Sequence, residues 1–199
     1  MNYKEIEKHF ESIFKIFKNI DIMIAGGSLI SLLNDTSVND YDIFFKSEND
    51  YNKAKKLLIN NRNYIHTFIG PNGNKYTNDK YTFDLVHSIF FKNKTDLINH
   101  FDFTINQIAI DKNGIVYSNR FEDDFKNKKL VLNNIPIPGS TLKRLVKYLN
   151  KDYKINNTEL EKLYKAIKDT DLEFPKNEES IPFNDITDNV FDILLNLLK

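Results

Sequence analysis

The 199-residue chain contains no cysteine, which excludes disulfides, thiolate zinc sites and cysteine nucleophiles. Its apolar runs fall well short of the roughly 18 residues that a membrane-spanning helix needs. The opening residues, Met1-Asn2-Tyr3-Lys4-Glu5-Ile6, are charged where a secretion signal is apolar. The expected location is therefore the cytoplasm, with no membrane partner. Net charge is also missing: 28 basic residues balance 28 acidic ones, so no global field draws the chain to nucleic acid. The histidines His9, His66, His87 and His100 show no metal-ligand spacing. What is present is a 41% hydrophobic fraction, enough for one mixed α/β domain with a small helical appendage.

Charge is unevenly spread. Lys126, Lys128, Lys129, Lys143, Arg144, Lys147, Lys151 and Lys154 face only Asp152 in the segment they span, whereas acids outnumber bases after residue 157. A basic segment before an acidic tail points weakly to an anionic partner.

Ile6, Phe10, Ile13, Phe14 and Phe17 recur at helical spacing, which predicts an amphipathic helix over residues 3–19. A short apolar strand over 21–25 is broken by Gly26-Gly27, and a helix over 28–33 follows at once. A polar loop over 34–39 leads to an alternating strand at 41–46. A helix over 51–59 and a strand over 64–69 come next. Gly70-Pro71-Asn72-Gly73-Asn74 is the strongest turn in the chain. A long strand is expected over 81–91, a helix over 95–101, and a hairpin from 107–111 and 115–117 around Lys112-Asn113-Gly114. Beyond Pro136 and Pro138 the pattern becomes helical over 140–153, 158–169 and 187–198, with a loop over 174–183. The expected division is residues 1–137 and residues 138–199. The expected fold is α/β, with a mixed, mostly antiparallel sheet, helices packed on one side, and a small helical C-terminal part.

The chemistry concentrates in Ile24-Ala25-Gly26-Gly27-Ser28-Leu29-Ile30 and Asn39-Asp40-Tyr41-Asp42-Ile43-Phe44. A strand that ends in Gly-Gly-Ser and feeds a helix lets the backbone approach an anion, and Ser28 adds a hydroxyl. Asp40 and Asp42, two apart on a strand, project from one face. Paired carboxylates repel unless a cation lies between them, and Mg²⁺ favours a few carboxylates plus phosphate oxygens. Asp84, within Phe83-Asp84-Leu85-Val86, is a candidate third carboxylate. Taken singly, each feature has an ordinary reading as a turn, a surface pair or a structural acid. In order along one chain they suggest an active site.

The order resembles the polymerase-β-like nucleotidyltransferases. Asp102-Phe103-Thr104-Ile105-Asn106 is similar to the Asp-Phe-Thr-x-Asn motif of class II tRNA CCA-adding enzymes and bacterial poly(A) polymerases. Phe121-Glu122-Asp123-Asp124-Phe125-Lys126 and Arg144-Leu145-Val146-Lys147-Tyr148 resemble the acidic-to-basic segment and the neck helix that follow it. The resemblance spans about residues 20–155. It implies two Mg²⁺ ions on Asp40, Asp42 and Asp84, and an NTP bound near Gly26, Gly27, Ser28, Asp102 and Asn106. Asp102 and Asn106 read as fixing the turn below the nucleotide. Transfer of NMP to an acceptor hydroxyl, with release of pyrophosphate, is the implied reaction. The preferred acceptor is an RNA (tRNA) 3′ end, with Lys143, Arg144, Lys147 and Lys151 as the RNA-binding face. His100-Phe101 and Ile137-Pro138-Gly139-Ser140-Thr141 replace the family's Arg-Arg and its base-reading Glu-Asp-x-x-Arg, which implies different base selection. The alternatives are a small-molecule or protein acceptor, or a silent nucleotide- or RNA-binding partner.

Overall fold

The computed structural model describes residues 2–169. The sequence-predicted helix over 187–198 and loop over 174–183 lie outside the described residues. Helix α1 (Tyr3–Ile16) buries Ile6, Phe10 and Ile13, the stripe the periodicity marked. It ends three residues early because the chain turns, with the Ile20 amide donating to the Phe17 carbonyl, and Phe17 is driven into the core. Strand β1 (Ile22–Ala25), helix α2 (Gly27–Leu33), strand β2 (Tyr41–Phe45) and helix α3 (Glu48–Asn60) follow. Ser47 caps α3 by accepting the Asp50 amide.

Strands β3 (Ile65–Ile69), β4 (Gly73–Thr77) and β5 (Thr82–Val86) form the next run. Here the expectation needs two corrections. The turn is tighter than read: the Gly70 amide donates to the Gly73 carbonyl, so Gly73 already belongs to β4. The strand expected over 81–91 stops at Val86. Beyond it, the His87 and Ser88 amides donate to Asn72 in the turn and leave the ladder. Helix α4 (Lys94–His100), a 3₁₀ turn at Thr104–Asn106, strands β6 (Ile108–Asp111) and β7 (Gly114–Tyr117), and helix α5 (Phe121–Lys126) come next. Strands β8 (Lys129–Leu130) and β9 (Lys154–Ile155) then bracket helix α6 (Pro138–Leu149), and helix α7 (Asn157–Lys168) closes the described chain.

Seven strands lie in the order β3-β4-β5-β2-β1-β6-β7. Every pairing is antiparallel except β2 with β5, so the sheet is mixed and mostly antiparallel. Alternation gives it two different faces. Tyr41, Ile43, Phe45, Phe83 and Leu85 join α1, α2 and α3 in the main core. Met23, Ala25 and Ala109 meet Leu97 and Ile98 of α4 in a smaller cluster on the opposite face. Helices therefore cover both faces, not one as expected. Helix α6 begins at Pro138, yet Leu145, Tyr148, Leu160 and Leu163 share the main core with α1 and the sheet. The parallel pairing of β8 with β9 also crosses that point.

Candidate active site

Asp42 is the centre of the site because of its strand register. On β2 it alternates with buried Tyr41 and Ile43 and so points to the face away from the main core. It stands opposite Ala25 of β1 on one side and Asp84 of β5 on the other. Asp84 in turn stands opposite Lys75 of β4. Side chains at matched positions on neighbouring strands share a face, so Asp42, Asp84 and Lys75 form a row, with Asp40 at the end of β2.

Glycines make the row possible. Gly26 has a positive φ of 84°, and a Cβ there would stand 3.0 Å from Asp42 Oδ2. A Cβ on Gly73 would collide with Asp84 Oδ1. That oxygen is buried and has no hydrogen-bond partner. Asp84 Oδ2 lies 3.6 Å from Lys75 Nζ, and the same ammonium donates to Asp40 Oδ2 at 2.5 Å.

The electrostatics follow from this crowding. Burial, then Asp40 and Asp84, push the Asp42 carboxyl up to about 7. Burial also raises Asp84, with Lys75 opposing. The hydrogen bond to Asp40 holds Lys75 above its ordinary value, against the cost of burial. Oxygen-only donors suit Mg²⁺, and Asp40 with Asp42 can hold such an ion together with phosphate oxygens. Among the described residues, however, no group of three or more acids or histidines is gathered tightly enough to hold a metal ion. Asp84 is the neighbour the sequence predicted, but an ammonium stands between it and Asp40.

A polar cleft opens beside Asp40, lined also by Gly27, Lys147, Tyr148, Lys151 and Tyr153. Lys147 acts on Asp42 and favours its ionised form. The start of α2 and the basic side of α6 thus enclose one space. Gly27 is exposed there, whereas the Ser28 hydroxyl is buried without a partner, so it does not face the cleft. Asp102 and Asn106 do not reach the cleft either. Asp102 is 1% exposed and accepts from Arg144 Nε at 2.5 Å and from the Phe103 amide. Asn106 accepts the Tyr148 hydroxyl at 2.5 Å. These buried bonds hold the 102–106 turn and dock α6, so the two residues position the cleft wall. Arg144 spends its Nε on Asp102, and Lys143 stands exposed one turn before Lys147. Sequence reasoning missed Lys75, whose partners depend on a hairpin register the sequence does not reveal. It also missed that Lys147 shares a cleft with Asp40.

Solved structures of similar fold include CCA-adding enzymes. One, in complex with ATP, superposes with a TM-score of 0.65 at 18% identity, over 85% of this chain and 44% of that one. The Thermotoga maritima CCA-adding enzyme, complexed with tRNA, gives 0.60 at 15% identity, over 84% and 45%. The fold is that of a nucleotidyltransferase. Sequence comparison then fixes the family: the model for the Gabija anti-defense 2 family matches residues 1–128, and the chain belongs to that family. A curated relative, "Gabija anti-defense 2" of Bacillus phage SPbetaL7, is 28% identical over 156 residues, 75% of this chain but only 38% of the relative. The chain therefore spans less than half the length of these proteins. The resemblance to CCA-adding enzymes is one of fold, and the family is an anti-defence one. Among the described residues no helix is long and apolar enough to cross a membrane.

Proposed function

We propose that the chain transfers a nucleoside monophosphate from an NTP to an acceptor hydroxyl with the help of Mg²⁺. The observation that carries this is Asp40 in the lining of a cleft whose other wall is cationic, with Asp42 buried two residues further along and acted on by the charges of Asp40 and Lys147. Asp40 and Asp42 would hold the ion, which supplies Lewis-acid charge to the phosphates. Lys147 and Lys151 would bind the triphosphate oxygens, and Gly27 leaves its backbone open to them. The acceptor oxygen bonds to the α-phosphorus as the bond to the β-phosphate oxygen breaks. Pyrophosphate leaves with the electron pair. The hydroxyl proton passes to Asp84, whose burial favours its protonated form, and then to water.

An RNA 3′ end is the first acceptor to test, since Lys143 and Lys147 lie on one side of α6, Lys151 follows in the turn after it (the helix expected over 140–153 stops at Leu149), and RNA needs cations. Membership in a family named for action against a defence system supports a second reading. In it, the acceptor is a component of that system, or the fold binds such a component without catalysis. Incubating the protein with Mg²⁺ and each α-labelled NTP, beside total RNA and a host-cell extract, separates these readings. Label on RNA supports the first and label on a protein or small molecule the second. Binding without label or released pyrophosphate refutes catalysis.

A further inference from the structure

The carboxylate row contains a cation of its own. Lys75 projects from β4 onto the same face as Asp84, its register partner, and its ammonium touches both Asp40 and Asp84. Asp84 has little else to offer. Its Oδ1 is sealed against Gly73 without a partner, so Oδ2, the oxygen facing Lys75, is the one left to take a ligand. We propose that Lys75 is a built-in substitute for one of two divalent cations: its ammonium fills the position shared by Asp40 and Asp84, and the site takes a single divalent ion on Asp40 and Asp42.

This inference rests on the nucleotidyl-transfer reading and departs from the two-ion arrangement expected from the sequence. Geometry supports it. Mg²⁺ binds oxygen at about 2.1 Å, so a second ion on Asp40 Oδ2 would lie no more than about 4.6 Å from the ammonium, given its 2.5 Å contact with that oxygen, whereas the single ion would take Asp40 through its other oxygen, Oδ1, together with Asp42. A dication and an ammonium that close repel strongly in a half-buried site. The absence of a three-carboxylate cage among the described residues agrees with this. Lys75 also gives a reason for Asp84 to be kept. It balances the row while the site is empty, and it leaves Asp84 free to take the acceptor's proton instead of gripping a metal.

The test counts ions, not turnover. Mn²⁺ is titrated into the protein at about pH 8 and bound ion is followed by loss of the free Mn²⁺ paramagnetic resonance signal, with and without an α,β-methylene nucleotide. The wild-type protein should bind one Mn²⁺ per chain, Lys75→Met should bind two, and Lys75→Arg should stay at one. Lys75→Gln serves if the methionine variant does not fold. Two ions in the wild type would overturn the proposal and leave the nucleotidyl-transfer reading intact. One ion in every folded variant would also overturn it, because Lys75 would then exclude nothing. If no form binds Mn²⁺, even with nucleotide, the cation-dependent reading falls and this proposal with it.

Discussion

Replacing Asp42 with Asn should make the cation-free protein more stable, and only above a definite pH. In the fold the Asp42 carboxyl sits at about 7, against an ordinary value of 3.8. The cause is burial first, then the charges of Asp40 and Asp84. A raised carboxyl keeps its proton in the native state at a pH where the unfolded chain has lost it. Its contribution to stability is therefore whole below about pH 4 and is lost as pH climbs to about 7. The gap between the two values corresponds to about 4 kcal/mol in full. Asparagine never ionises and so avoids this loss. At about 2–4 °C per kcal/mol for a domain of this size, Asp42→Asn should melt roughly 10 °C higher near pH 8. It should melt less than half as much higher near pH 5, and coincide with the wild type below about pH 4. Thermal unfolding in a chelator, at these three acidities, is the assay. A difference that does not vary with pH, or a variant less stable than the wild type near pH 8, would refute the placement of Asp42 in a desolvated row of like charges. Added Mn²⁺ should raise the melting temperature of the wild type and leave that of the variant unchanged.

Three other outcomes are expected. Asp40→Asn and Asp84→Asn should each lower nucleotidyl transfer at least about a hundredfold, read as pyrophosphate release at saturating NTP, while circular dichroism stays unchanged. Lys147→Glu with Lys151→Glu should weaken NTP binding roughly tenfold or more, because both line the cleft with Asp40; unchanged NTP affinity with a flatter salt dependence of RNA binding would assign the helix to the acceptor alone. Arg144→Met should cost about 3 kcal/mol in urea unfolding, since it strands Asp102 as a buried carboxylate without its cation.

The sequence was most legible where periodicity and turn chemistry act within a few residues. The apolar stripe of α1, the Gly-Gly break after β1, and the alternation that turns Tyr41 inward and Asp42 outward are local facts, and each is present in the fold. β4 was illegible because Gly73-Asn74-Lys75 looks like a turn. It is a strand because Asn74 is buried and donates to the Tyr51 hydroxyl at 2.6 Å, a bond to a residue on α3. Helix α5 and the β8–β9 pair are too short to leave a period. The site divides along the same line. That Asp40 and Asp42 share a face follows from spacing. That Lys75 meets them follows from the register of three strands, and that Lys147 faces them follows from α6 docking through Asp102 and Asn106, each 42 residues from its partner.

The family's sequence signature ends at residue 128, but the physical unit does not. Leu145, Tyr148, Leu160 and Leu163 complete the core that α1 and the sheet begin, and among the described residues β8 pairs with β9. A gene fragment cut at the end of the signature would encode the three acids and Lys75 on a sheet with one flank stripped bare. A sheet of this kind that is to keep its core closed must therefore retain the two following helices. The folding unit is set by what the core needs to close, and it is longer than the 128 residues that the family model matches.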